Sequence, residues 1–116
     1  LIRQNREKFR AYNLTLIEGK APDALAGLPA PDAVFIGGTK GGMDGVLDAI
    51  YNKNPDARVC ISAIALETLS AAVAALTARG LTAEVTQIAV SRTKPAGRLH
   101  LLMANNPIFL ITGGRR

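Results

Sequence analysis

The residues best placed to do chemistry are Val34-Phe35-Ile36-Gly37-Gly38-Thr39-Lys40-Gly41-Gly42-Met43, an apolar strand that runs through four glycines and a Thr-Lys pair into a helix. Glycine frees the backbone for positive φ and lets a ligand approach the chain closely, so four glycines in six residues exceed what a tight turn requires. The loop reads as the floor of a ligand site. It is not a phosphate loop of the Gly-Lys-Ser/Thr kind, because Thr39 precedes Lys40, and it lacks the glycine spacing of a dinucleotide fingerprint.

The other reactive side chains exclude more than they assign. His100 is the single histidine, and with one cysteine there is no His/Cys set for zinc or iron, so no metal is expected. A histidine set among Leu99, Leu101 and Leu102 reads as structural. Ser62, Thr68 and Ser91 have no nucleophile-elbow context and no placed base, which disfavours acyl transfer. Cys60, inside Arg58-Val59-Cys60-Ile61-Ser62, has no partner for an internal disulfide and reads as a buried, inert thiol. Glu67 opens a helix, where the dipole favours a carboxylate, so capping competes with substrate contact as its role.

An α/β alternation positions these residues. Leu14 to Glu18 reads as a short strand ended by Gly19, and Pro22 and Asp23 open a brief helical turn through Leu25. Ala33 to Ile36 follows as a strand whose unbroken apolar run fits burial on both faces. Met43, Val46, Leu47 and Ile50 recur at helical spacing on a helix that ends near Asn54-Pro55. Val59 to Ala63 is a further buried-type strand. A helix from about Leu66 to Arg79 then turns Leu66, Leu69, Val73 and Leu76 inward, and Gly80 stops it. From Leu81 to Val90 the pattern is one long strand, Lys94-Pro95-Ala96-Gly97 is a turn, Leu99 to Met103 is extended or a helical turn, and Pro107 to Thr112 is the last strand. The sheet is expected to be mostly parallel with its last strands antiparallel, and residues 1–116 read as one domain. Ligands of such sheets bind beyond the carboxyl ends of the strands, where Gly19-Lys20-Ala21, Gly37 to Gly42 and Ser62 to Glu67 all fall.

At 116 residues, 48% hydrophobic and 20% charged, the chain has the composition of an ordinary globular domain. No apolar run reaches the roughly 18 residues of a membrane span, and no signal core follows Arg3, Arg6, Lys8 and Arg10, so a cytoplasmic location without membrane contact is expected. The net charge of +5 gathers at the two ends and in Arg92-Thr93-Lys94 with Arg98, which suits an anionic partner: nucleic acid, phosphate or a polycarboxylate. Only 4% of residues are aromatic, which weighs against a stacking platform for nucleic acid. Helical character begins at Leu1, without a methionine or a capping residue, and suggests further sequence upstream.

Five segments carry a resemblance in order and spacing over essentially the whole chain: Glu18-Gly19-Lys20-Ala21-Pro22-Asp23-Ala24-Leu25, Pro31 to Gly38, Ala63-Ile64-Ala65-Leu66-Glu67-Thr68-Leu69, Thr86-Gln87-Ile88-Ala89-Val90-Ser91-Arg92 and Asn106-Pro107-Ile108-Phe109. Together they resemble the decarboxylating precorrin methyltransferases of cobalamin biosynthesis, in particular the C-terminal-domain type of precorrin-6Y C(5,15)-methyltransferase. The resemblance implies a Rossmann-like class I methyltransferase fold that uses S-adenosylmethionine. Its implied reaction is methylation of a meso carbon of a tetrapyrrole with loss of carbon dioxide from an acetate side chain. It leaves room for a homo-oligomer and for fusion to a second methyltransferase domain upstream, and Ala63-Ile64 and Lys20 are closer to the fused type.

By the same analogy, Gly19, Lys20 and Ala21 would lie beside the adenine, and Gly37 and Gly38 beside the methionine part of the cofactor. Thr39, Lys40, Gly41 and Gly42 would face the methyl group and the tetrapyrrole, with Glu67 and Thr68 on the substrate side. Lys40, Arg92, Lys94 and Arg98 are candidates for the substrate's carboxylates by charge complementarity. No residue is assigned as a covalent catalyst, since methyl transfer from a sulfonium needs alignment and electrostatic shaping more than a nucleophile. The fold's first glycine-rich loop and the acidic residue after its second strand have no counterpart here, so residues 1–116 are expected to be the C-terminal two-thirds of the domain, without its first two strands. Alone, they should bind the cofactor poorly. A class I methyltransferase acting on RNA or another anion, and a non-catalytic basic interaction domain, are the competing readings.

Overall fold

A computed structural model describes residues 1–10, 27–37 and 42–115. The expected strand at Leu14 to Glu18 and the turn at Pro22 to Leu25 lie outside the described residues. Helix α1 spans Ile2–Lys8, followed by β1 (Ala33–Gly37), α2 (Met43–Lys53), β2 (Arg58–Ala63), α3 (Leu66–Ala78), β3 (Thr82–Ile88), β4 (Ser91–Ala96), β5 (Leu99–Ala104) and β6 (Ile108–Gly114).

Four strands form one sheet in the order β1-β2-β6-β3. β1 and β2 are parallel, while β6 runs antiparallel to both β2 and β3, so three strands point one way and the last is inserted against them. The carboxyl-terminal strand is antiparallel, in keeping with the sequence: no helix separates β3 from β6, and a return in the same direction needs a crossover connection, usually a helix.

Helices α2 and α3 cover one face. The residues of α2 that are buried are Met43, Val46, Leu47 and Ile50, the stripe that the sequence spacing gives. They meet Ile36, Val59, Ile61, Ala63 and Ile111 from the strands. Among the described residues, Leu47, Ile61, Leu76 and Ile111 are the largest side chains wholly removed from water. Tyr51 ties the end of α2 to the start of β2 by donating from its hydroxyl to Ala57 O at 3.0 Å, and its partial burial pushes the phenol up from its ordinary pKa. Asn54 Nδ2 donates to Pro31 O at 2.7 Å, and Lys53 Nζ to Leu28 O, which fastens the same end to the chain entering β1.

α3 corrects one expectation. Leu69, Val73 and Leu76 pack inward, but Leu66 is 69% exposed, because it begins the helix beyond the edge of the sheet. The helix's buried residues are Ala72, Ala75 and Leu76, and it packs on β6, β3 and β2. Gly80 ends the helix at φ 72° with a complete Schellman arrangement: Leu81 N–H donates to Leu76 O at 3.0 Å and Gly80 N–H to Thr77 O at 3.0 Å. A Cβ at Gly80 would meet nothing within 4 Å, so Gly80→Ala should cost only its backbone strain, about 1 kcal/mol in urea denaturation.

The second correction concerns the other face. The apolar runs of β1 and β2 suggest burial on both sides, yet Phe35 is 65% exposed and Cys60 only half-buried. They form, with Thr112 and Glu84, one row across the sheet face opposite α2 and α3. This open face carries a broad groove of about 880 Å³ lined by these residues and by Arg58 and Arg115.

The third is the arm. Residues 81–90 are not one strand, since β3 stops at Ile88, and Lys94, Pro95 and Ala96 lie in β4 rather than in a turn. The turn is Gly97-Arg98, with positive φ (61°) at Gly97 alone, as a two-residue type II′ loop requires. Residues 99–103, for which a helical turn remained an option, are extended in β5. β4 and β5 form a separate two-stranded sheet whose residues are all exposed.

Candidate functional site

The carboxyl ends of the parallel strands meet along one edge. Gly37, the last residue of β1, lies beside Ser62 of β2, Ser62 beside Leu110 of β6, and Leu110 beside Thr86 of β3. α2 and α3 both start from this edge. Gly42 is the N-cap of α2 and Ala65 that of α3, and neither helix has a side-chain cap, so the positive end of each dipole faces the edge. The first intrahelical bonds are Val46 N–H to Gly42 O and Leu69 N–H to Ala65 O, both 3.1 Å.

The edge therefore gathers Gly37, Gly42, Ser62, Glu67 and Thr68. Glu67 is exposed in the first turn of α3 and caps nothing, while Thr68 is half-buried. Gly19, Lys20, Ala21, Gly38, Thr39, Lys40 and Gly41 lie outside the described residues. Arg92 and Lys94 stand on β4 and Arg98 at the hairpin turn, exposed on the arm that leaves the same edge after Ile88. The structure thus places all three basic residues beyond the edge and none of them in the sheet. No cluster of three metal-ligating side chains occurs among the described residues.

One supporting residue escapes sequence reasoning. Arg79, which the sequence offers only as a positive charge at the end of α3, reaches across to the first turns of α2. Its Nη2 donates to Asp48 Oδ1 at 2.6 Å and to Asp44 O at 3.2 Å, and its Nη1 to Asp44 Oδ1 at 3.2 Å and to its own helix at Ala75 O, 2.8 Å. The bond to Asp48 holds the guanidinium proton more tightly than usual, against the opposing effect of burial. The clamp fixes the helix start that follows the glycine loop. No periodicity could have shown it, because its partners are 31 and 35 residues away.

A model of the precorrin methyltransferase domain family matches residues 1–113. The chain belongs to this family. Over 113 residues it is 39% identical to a probable cobalt-precorrin-6B C(15)-methyltransferase (decarboxylating) of Pyrobaculum calidifontis, covering 97% of this chain and 58% of that protein. The crystal structure of precorrin-6y C5,15-methyltransferase from Geobacter metallireducens superposes with a TM-score of 0.90 at 36% identity, over 98% of this chain and 61% of that one. The precorrin methyltransferase domain described here thus spans about three fifths of the length of these relatives. A SAM-dependent O-methyltransferase from Thermotoga maritima matches with a TM-score of 0.69 at 12% identity, over 97% of this chain and 44% of that one, a likeness of fold alone. The mixed α/β sheet is therefore a Rossmann-like methyltransferase sheet. S-adenosylmethionine is the cofactor such a family implies, and the described ends of the strand-to-helix junction are compatible with it: Gly37 and Gly42 carry no side chain, and a Cβ on Gly42 would meet nothing within 4 Å.

Proposed function

We propose that the precorrin methyltransferase domain forms the C-terminal two-thirds of a class I methyltransferase that methylates a meso carbon of a precorrin and decarboxylates an acetate side chain, in cobalamin biosynthesis. The observation that carries this reading is the family match over residues 1–113. The open groove on the Phe35 face supports the size of the whole: β1 and β2 have sequences suited to burial on both sides, and a longer chain like those of the relatives would supply the covering layer. The chain is read as cytoplasmic, and the family resemblance leaves room for a homo-oligomer and for fusion to a second methyltransferase domain upstream. Among the described residues no helix is long and apolar enough to cross a membrane.

When bound, S-adenosylmethionine supplies an electrophilic methyl group. The chain's own residues hold and align. Gly37 and Gly38 would lie against the methionine part and Gly19-Lys20-Ala21 against the adenine, with Thr39 to Gly42 facing the acceptor carbon. Glu67 and Thr68 would bound the substrate side, and Lys40, Arg92, Lys94 and Arg98 would hold its carboxylates. Positioning of this kind can supply several kcal/mol without a covalent side chain.

Calorimetry with S-adenosylmethionine and a precorrin tests the reading. The full chain is expected to bind both and to release carbon dioxide with methyl transfer, whereas residues 1–116 alone should bind the cofactor at least about tenfold more weakly. Salt-sensitive binding of RNA without tetrapyrrole binding would replace the substrate, and a full chain that binds no cofactor would replace the enzyme by an interaction domain.

A further inference from the structure

The start of α3 is built against its own stability. Its N-cap is Ala65, with no side-chain hydrogen bond, where Ser, Thr, Asp or Asn would satisfy a free N–H. Large apolar residues flank that alanine, and both stand in water: Ile64 is 75% exposed and Leu66 69%. An apolar residue just before an N-cap commonly packs on the fourth residue of the helix, which here is Leu69. Such a staple would cover Ile64, and its exposure shows that the staple is not closed. Neither side chain belongs to the buried core.

Their place in the fold gives the exposure a use. Ile64 follows Ala63, the last residue of β2, and Leu66 precedes Glu67 and Thr68, so the pair stands on the carboxyl edge beside Ser62. The groups already gathered there, Gly37, Gly42, Ser62, Glu67 and Thr68, are small or polar, and Ile64 and Leu66 add large apolar surface to them. Ile88, which ends β3, and Val90, just before β4, are exposed as well, at the foot of the arm. Beyond them stand the cations Arg92, Lys94 and Arg98.

We propose that Ile64 and Leu66 form an apolar wall against one face of the tetrapyrrole macrocycle, with its carboxylates turned toward the cations of the arm. This wall rests on the precorrin reading above and adds to it the residues that hold the ring. A macrocycle with acidic side chains has both complementary features, a broad apolar face and an anionic rim. A phosphate or a small carboxylate would meet the cations and leave the wall wet. An RNA strand would call for aromatic stacking, and both side chains are aliphatic. Two kinds of hold on one ring fix its orientation, because the wall sets the plane and the cations set the rotation within it. Orientation of this kind favours reaction at one meso carbon without a covalent side chain.

Calorimetric titration of the full chain with a precorrin, at about 50 mM and about 0.5 M salt, tests the wall. Ile64→Ala and Leu66→Ala should each raise the Kd for the precorrin about tenfold, with the Kd for S-adenosylmethionine and the melting temperature little changed. Ile64→Val and Leu66→Met keep most of the apolar area and should stay within about threefold of the wild type. The loss in the alanine variants should persist at the higher salt, where exposed charges are screened, which separates it from a loss of cation contacts. A wild-type chain that binds the precorrin no better than its alanine variants would overturn the wall and leave the precorrin reading standing. Alanine variants that melt well below the wild type would show that another segment or a second copy already covers Ile64 and Leu66, and would overturn it too. A wild-type chain that binds S-adenosylmethionine but no tetrapyrrole would overturn the substrate reading and the wall together.

Discussion

Gly113→Ala should destabilise the domain by about 3 kcal/mol, lowering the melting temperature by roughly 10 °C, the largest effect expected of a single methyl group at any of the described glycines. A Cβ at Gly113 would lie 2.7 Å from Thr82 O and 2.8 Å from Leu76 Cδ1, well inside van der Waals contact. Neither neighbour can withdraw cheaply. Thr82 is held in the β3–β6 ladder beside Gly114, with its Oγ1 donating to Gly114 O at 3.0 Å, and Leu76 is wholly buried on the helix face. Relief would require β3 to part from β6 or α3 to lift from the sheet, exposing the buried Ala72 and Ala75. Leu76→Ala in the same chain removes one of the two clashes and leaves the backbone one, so the double variant should remain less stable than Leu76→Ala alone. The Gly80→Ala variant is the matched control, since its added methyl group meets open space. Equal losses at the two positions, measured by urea denaturation, would show that strain or chain entropy rather than the clash sets the cost at Gly113.

What could be read from the sequence follows from what burial writes into it. The stripe Met43, Val46, Leu47 and Ile50 was legible because one face of α2 is buried and the other wet, which imposes helical periodicity. Gly80 and the antiparallel last strand were legible because local chemistry and the absence of a crossover helix decide them. β1 and β2 misled in an informative way: their apolar runs suggest burial on both faces, whereas among the described residues α2 and α3 cover one side only. The arm was the hardest element. With both faces exposed, β4 and β5 carry no inward-outward alternation, and Pro95-Ala96-Gly97 gives a strong turn signal although Pro95 sits tolerably on an outward edge position. At the candidate site the glycines announced themselves by number. The convergence of Gly37, Ser62 and the start of α3 on one edge needed the parallel register of β1 and β2, and the Arg79 clamp needed the tertiary structure itself.

The arm also carries the basic residues, and charge reversal separates the two roles they could play there. Arg92 and Lys94 share one face of the hairpin with Met103 and Leu101, so cations border an apolar strip. That pattern suits a ligand with an apolar ring and carboxylates around its rim, as the proposed substrate has. Each exposed ion pair contributes up to about 1 kcal/mol, and reversing both charges converts attraction into repulsion. Arg92→Glu with Lys94→Glu should therefore raise KM for the precorrin about 30-fold, with kcat and the Kd for S-adenosylmethionine little changed. The loss should shrink as salt is raised from about 50 mM to 0.5 M, because exposed charges are screened within a few ångströms at the higher concentration. Protection of the β4 edge makes the opposite demand, since any charge blunts an edge whatever its sign. The glutamate pair should thus lose substrate without associating further through this edge, and Arg92→Gln with Lys94→Gln should raise KM less and leave the edge more prone to associate. If the glutamate pair leaves KM unmoved at low salt, these cations guard the strand and the carboxylates are held elsewhere.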